Sequence, residues 1–313
     1  MPGDRPETQP VALQLPVTLC QYTIVTTIQH ASPPATPLKI LFLHGYTQSG
    51  PLFHAKTRAL LKHLQKLFPT HDISPFYPTG PLHLDPRDIP GYEPRPETGG
   101  EGGKPDKENE KEKDEAYGWW RRDDTADPPL YAGIEDGLAT IARTLRDDGP
   151  FDGAIGFSQG AALAAMIASL LEGGRRDAFG HFAGVGGMPF PASFDGLAHP
   201  PLKFVLCYSG FRAPGPRYRA FYERPAIQAP ILHVLGSLDA VVDHGRSGAL
   251  VDACEGEPEK EGRVVWHPGG HFLPSQRPFL DAAASFIKER LENKGPGEQD
   301  KDEEDVRDMD LPF

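Results

Sequence analysis

The sequence predicts an α/β fold in which a mainly parallel central sheet carries helices on both faces. Apolar runs of strand length alternate along the chain with stretches whose apolar residues recur at helical spacing. The runs are apolar at nearly every position, as befits strands covered on both sides. At 313 residues and 38% hydrophobic, the chain is long enough to bury a sizeable core and sits near the upper size of one such domain.

The stretch 1–37 is rich in Pro and Thr and is expected to be a loose leader, with Val17 to Ile28 as a candidate peripheral strand. Leu38 to Leu43 (LKILFL) reads as a central strand running directly into His44-Gly45. Phe53 to Phe68 has helical spacing and Ile73 to Tyr77 reads as the next strand, so a βαβ unit opens the domain. Residues 78–115 are Pro-, Gly- and charge-rich and end in KPDKENEKEKDE, a composition too polar to pay for ordering by burial, so a disordered surface insertion is expected.

Leu130 to Arg146 is amphipathic and predicts a helix, Phe151 to Phe157 a strand, and Gln159 to Leu171 an Ala-rich helix with almost no polar face, hence buried. Three more strands are expected at Lys203 to Tyr208, Ile231 to Leu235 and Arg263 to His267, closed by a helix from Pro278 to Leu291. The predicted domain is 38–293, followed by an acidic disordered tail at 294–313.

The strongest chemical signal is Gly156-Phe157-Ser158-Gln159-Gly160, a GxSxG between strand and helix. With 34 Gly and 11 Ser, chance places the bare pattern in roughly one such chain in eight, so placement matters more than letters. The glycines permit a sharp strand-to-helix turn that lifts the hydroxyl above the sheet, and the N–H of Gln159 at the helix start can face a developing oxyanion. The bland alternative is a Gly-rich helix start with Ser158 as an ordinary cap.

A serine hydroxyl needs a base to activate it and an acid to orient that base. On this fold the expected order is Ser, acid, His, and two later strands end in loops holding Asp239 and His271. Asp239 is preferred over Asp243 because it lies nearer its strand end; Asp243 is the alternative, or a helix cap. His271, after two glycines, is preferred over His267, which falls within its strand and reads as a packed residue. His44-Gly45-Tyr46 follows the first strand and offers the N–H of Tyr46 as a second oxyanion donor. Trp119 and Trp120 are candidates for a substrate-pocket wall, with core anchoring as the competing account.

The formal net charge is −12. Glu101 to Glu115 holds seven acidic and four basic residues and Glu298 to Asp310 holds eight and two, so these stretches carry −9 of it. Attraction to nucleic acid is not expected. Cys20, Cys207 and Cys254 form no CxxC, which fits a reducing compartment, and Cys207 reads as a small buried apolar residue. No window of about 18 apolar residues exists, so no membrane span is expected and the cytoplasm is the default, with the nucleus open. The absence of HExxH, HxH, Walker A and GxGxxG after the early strand leads to the expectation of no cofactor and no metal.

The pieces LKILFLHGYTQSG, YGWWRRDD, YAGIEDGLATI, GPFDGAIGFSQGAALAA, KFVLCYSGF, ILHVLGSLDAVVD and HPGGHFLP, spread from about Leu38 to about Ile287, resemble the FSH-type serine hydrolases, a fungal family with animal members related to the ovarian cancer-associated hydrolase. The resemblance implies an α/β-hydrolase fold without a large lid, with Ser158, Asp239 and His271 at the family's catalytic positions. It also implies a cytosolic esterase, and some fungal relatives look like thioesterases that release polyketide chains from a carrier protein. The leader, insertion and acidic tail depart from the family pattern. The resulting expectation is hydrolysis of a small-molecule acyl ester or thioester through an acyl-enzyme. Two rivals are kept: a thioesterase acting on an acyl carrier protein, and a catalytically silent binding protein on the same fold.

Overall fold

The computed structural model describes residues 35–85 and 115–292. Its centre is a six-stranded parallel sheet of β1 (Thr36–Leu43), β2 (His71–Phe76), β7 (Gly153–Phe157), β8 (Phe204–Tyr208), β9 (Ile231–Gly236) and β10 (Val264–His267), in the spatial order β10-β9-β8-β7-β1-β2. The chain leaves β1 toward β2 on one side, then returns to place β7 on the other side and continues outward through β8 to β10. The direction of winding therefore reverses between β1 and β7. Loops leaving the carboxyl ends of those two strands diverge there, opening the crevice in which such sheets hold their sites.

Alternation along each strand feeds two cores. Leu41 and Leu43 of β1 point to one face with Ala154, Val205 and Ile231, whereas Ile40 and Phe42 point to the other with Ile155, Leu206 and Val234. Helix α1 (Gly50–Leu67) covers the second face together with α6 (Arg277–Glu292), through Phe53, Leu60, Leu64, Ala283 and Ile287. Helices α2 (Ile134–Asp148), α3 (Gln159–Leu170) and α4 (Arg175–Ala183) cover the first. Every residue of α3 is buried, which only a helix of small and apolar residues against the middle of a sheet allows. Cys207 and Cys254 are free and buried.

Two expectations need correction. The helix read as Leu130 to Arg146 starts only at Ile134: Leu130–Ala132 is strand β6, paired antiparallel with β5 (Arg121–Asp123), and Gly133 at φ 81° turns the chain from β6 into the helix. That left-handed backbone suits glycine and ends the strand. Within the insertion read as 78–115, Leu82–Leu84 is strand β3, paired antiparallel with β4 (Ala116–Gly118) just after the insertion, and Leu84 is buried. Helices α4 and α5 (His244–Val251) are short and carry too weak an apolar periodicity to be read from the sequence. The candidate strand at Val17 to Ile28, the centre of the insertion and the acidic tail lie outside the described residues.

Candidate active site

The loop from β7 into α3 turns within Gly156 to Gly160. Ser158 has φ 53° and ψ −116°, a left-handed conformation that a side chain adopts only where its surroundings enforce it. They do so by close backbone approach: a Cβ on Gly156 would stand 2.3 Å from the Gly160 carbonyl oxygen, and one on Gly160 would stand 2.1 Å from that of Leu43. Both glycines are therefore required by packing. Ser158 is the N-cap residue of α3, yet its side chain makes no capping hydrogen bond. Its Oγ stands 2.9 Å from Nε2 of His271 instead.

His271 and Asp239 come from the loops after β10 and β9. His271 Nδ1 lies 2.8 Å from Asp239 Oδ2, which fixes the ring with Nε2 toward the serine. The other carboxylate oxygen, Oδ1, accepts the N–H groups of Val241 (3.0 Å) and Val242 (2.9 Å), so both oxygens are held. Burial raises the Asp239 pKa, but the Val242 N–H and His271 outweigh it and leave the carboxyl below its ordinary value. Phe157 packs against the His271 ring at 4.9 Å.

The competing residues have other places. Asp243 caps α5, accepting the N–H of Arg246 at 3.0 Å. His267 is buried among Phe272 and Phe279 on β10.

The opposite wall is the loop after β1. His44 is wholly buried; its Nε2 accepts the N–H of Gly80 at 2.8 Å, and its Nδ1 lies 2.8 Å from the Gly45 carbonyl oxygen, to which it donates. Burial lowers its pKa to about 4, only partly offset by that bond to Gly45, so the ring is neutral near pH 7. The loop is tied onward by a bridge from Gln48 to Tyr117. As first residue of α3, Gln159 has no intrahelical acceptor for its N–H.

The side chain of Gln159 does work that sequence reading missed. Its Oε1 accepts the Trp119 N–H and its Nε2 donates to the Trp120 carbonyl, both at 2.8 Å, clamping that peptide over the helix start. The two tryptophans then separate, as neighbours in extended chain must. Trp119 is fully buried, stacked on His44 with ring centroids 4.8 Å apart, its indole N–H donating to the His44 carbonyl oxygen. It lines neither cavity at Ser158, which corrects its reading as a pocket wall: a buried indole with a buried partner is an anchor. Trp120 does line a cavity, stacked on Tyr131 at 4.9 Å.

Two cavities meet at Ser158. One, of about 430 Å³, is lined by Gln159, Trp120, Tyr131, Phe211 and Arg246 among others. The other, of about 540 Å³, lies on the His271 side and is bounded by Thr47, Phe272 and Leu273. Tyr46 and Val241 border both. Sequence reading gave no role to Tyr131, Phe211 and Arg246: the first two fall within family-like pieces of the chain but outside the catalytic motifs, and Arg246 lies beyond any of them.

The family model described as serine hydrolase (FSH1) matches residues 33–283. The chain belongs to this serine hydrolase family. A protein of Saccharomyces cerevisiae named family of serine hydrolases 3 is 32% identical over 275 residues, covering 88% of this chain and 92% of that one. Esterase OVCA2 of Danio rerio is 31% identical over 261 residues, covering 81% and 98%. A Schizosaccharomyces pombe protein named dihydrofolate reductase is 35% identical over 257 residues, covering 80% of this chain and 47% of its own. The chain thus spans about half the length of that relative. The family and the parallel architecture together make this an α/β-hydrolase. Among the described residues, no helix is long and apolar enough to cross a membrane.

Proposed function

We propose that this serine hydrolase cleaves carboxylic esters or thioesters by acyl transfer to Ser158. The observation that carries the proposal is that the Ser158 hydroxyl, in a cap position, forgoes the cap and stands 2.9 Å from His271 Nε2. His271 takes the proton as the hydroxyl attacks the carbonyl, Asp239 keeps the imidazole in the useful tautomer, and the N–H groups of Tyr46 and Gln159 stabilise the oxyanion. His271 then protonates the departing alcohol or thiol, and water repeats the sequence on the acyl-enzyme. The names of the esterase relatives support the ester reading.

A thioester, free or on a carrier protein, passes through the same tetrahedral oxyanion and expels its thiol on the same side. Competition between matched acyl esters and thioesters in one assay separates the two preferences.

Labelling with a fluorophosphonate probe tests the mechanism. The native chain reacts; Ser158→Ala does not, and His271→Ala reacts on the order of 10³-fold more slowly or worse. An unlabelled native protein, or undiminished labelling of Ser158→Ala, overturns the proposal and favours a silent binding protein.

A further inference from the structure

Resting on the acyl-transfer reading, the two cavities at Ser158 have different jobs. The proton given to the leaving group comes from His271, so the leaving group occupies the 540 Å³ cavity, which His271 lines. The acyl chain is left with the 430 Å³ cavity, which His271 does not line.

That acyl cavity has an unusual wall. Arg121, Arg122 and Arg246 line it, and no Asp or Glu does, although the chain as a whole carries a net charge of −12. Arg122 is matched by Asp124 at 2.6 Å. Arg246 forms no ion pair with any described carboxylate; Asp243, on its own helix, accepts the Arg246 backbone N–H and lies outside the cavity wall. The Arg246 guanidinium lies over the Phe211 ring, 4.3 Å from its centroid, a contact that orients the group without neutralising it. Arg246 and Arg122 both oppose, through their charge, the burial that pushes the Tyr131 phenol up to about 12, so both act near Tyr131, which lines the same cavity. The rest of the lining is Trp120, Phe211, Val241 and Val242 beside Tyr46 and Gln159, apolar surface suited to methylene groups.

The geometry points to an acyl group with an anionic far end: the substrate is a monoester or monothioester of a dicarboxylic acid, its reacting carbonyl at Ser158, its methylenes along Trp120 and Val242, and its free carboxylate on Arg246. The carboxylate takes no part in bond making. Ser158 attacks the esterified carbonyl, the alcohol or thiol leaves with a proton from His271, and water releases the free diacid. Arg246 is thus a specificity residue, offering a planar guanidinium to a planar carboxylate.

The test compares aryl monoesters of dicarboxylic acids, from succinyl to suberyl, with neutral alkanoyl esters matched in length. In the native protein at least one carboxylated length exceeds its neutral partner in kcat/KM by about 10-fold or more, through KM, and the advantage falls with added salt. Arg246→Ala and Arg246→Gln bring the ratio toward one, whereas Arg246→Lys keeps part of it. Neutral esters cleaved as well as carboxylated ones at every length overturn the proposal without recourse to any variant, as does a ratio that Arg246→Gln leaves intact. Fluorophosphonate labelling of the same samples separates the failures. A labelled native protein without the preference sinks the carboxylate subsite alone; an unlabelled one sinks the acyl-transfer reading as well.

Discussion

The two walls that meet at Ser158 are built differently. On the side proposed to hold the oxyanion, His44, Trp119 and Gln159 are buried and cross-linked by hydrogen bonds of 2.8 to 2.9 Å, so the loop after β1 is part of the core. On the base side, His271 and Asp239 ride on outer loops whose neighbours Leu238 and Val241 are 71% and 64% exposed. A donor for a developing charge gains most from rigid preorganisation, whereas a base that shuttles protons must reach solvent and leaving group. The difference predicts that changes on the first wall cost stability and those on the second cost rate.

The largest expected effect is on the base wall. Asp239→Asn keeps the loop's shape but loses the carboxylate that sets the His271 tautomer, and kcat falls by on the order of 10³- to 10⁴-fold with little change in unfolding midpoint. A large loss of stability in urea would show that the two walls are not separable in this way. Next comes the oxyanion wall: Trp119→Ala removes a fully buried indole and leaves the His44 carbonyl without its donor, for a loss of about 3–5 kcal/mol in the same assay. A loss under about 1 kcal/mol would mean that this wall can collapse around the gap.

Acid sharpens the contrast. Burial holds His44 near 4 against an ordinary 6.5, and burial with the Arg263 charge holds His233 near 3. Unfolding lets both rings take up protons below pH 6.5. Their stabilising preference for the neutral state is complete above that pH and is lost as pH falls toward 4 and then 3, by on the order of a few kcal/mol. Urea midpoints between pH 7 and 4 check this; His44→Gln, which retains an acceptor and a donor, flattens the upper part of the slope. The smallest effect is at the exposed rim, where Leu238→Ala shifts stability by less than about 0.5 kcal/mol.

The same difference governs what could be read in the sequence. The sheet and the elbow were legible because buried parallel strands are written as unbroken apolar runs, and because a turn this tight admits only glycine at positions 156 and 160. The base-side residues were legible only through chain order and position after a strand, which left Asp243 and His267 as rivals until their cap and core contacts were visible. The Gln159 clamp left no sequence trace, since it joins residues 40 apart through a side chain whose backbone had already been given a role. Nor did the arginine-lined cavity: Arg246 lies on a short helix with no motif and meets Phe211 and Tyr131 only through tertiary packing. Trp119 and Trp120 looked equivalent as neighbours, and alternation of an extended chain sent one to the core and one to the cavity.

The most direct test of the central claim is to trap the acyl-enzyme. Native protein mixed with an activated aryl ester and quenched within the first turnover should carry one acyl group, with a burst of released alcohol of matching size, and digestion followed by mass spectrometry should place it on the peptide containing Ser158. An acyl group on another residue, or turnover with no adduct and no burst under conditions where deacylation is the slow step, would contradict nucleophilic catalysis by Ser158.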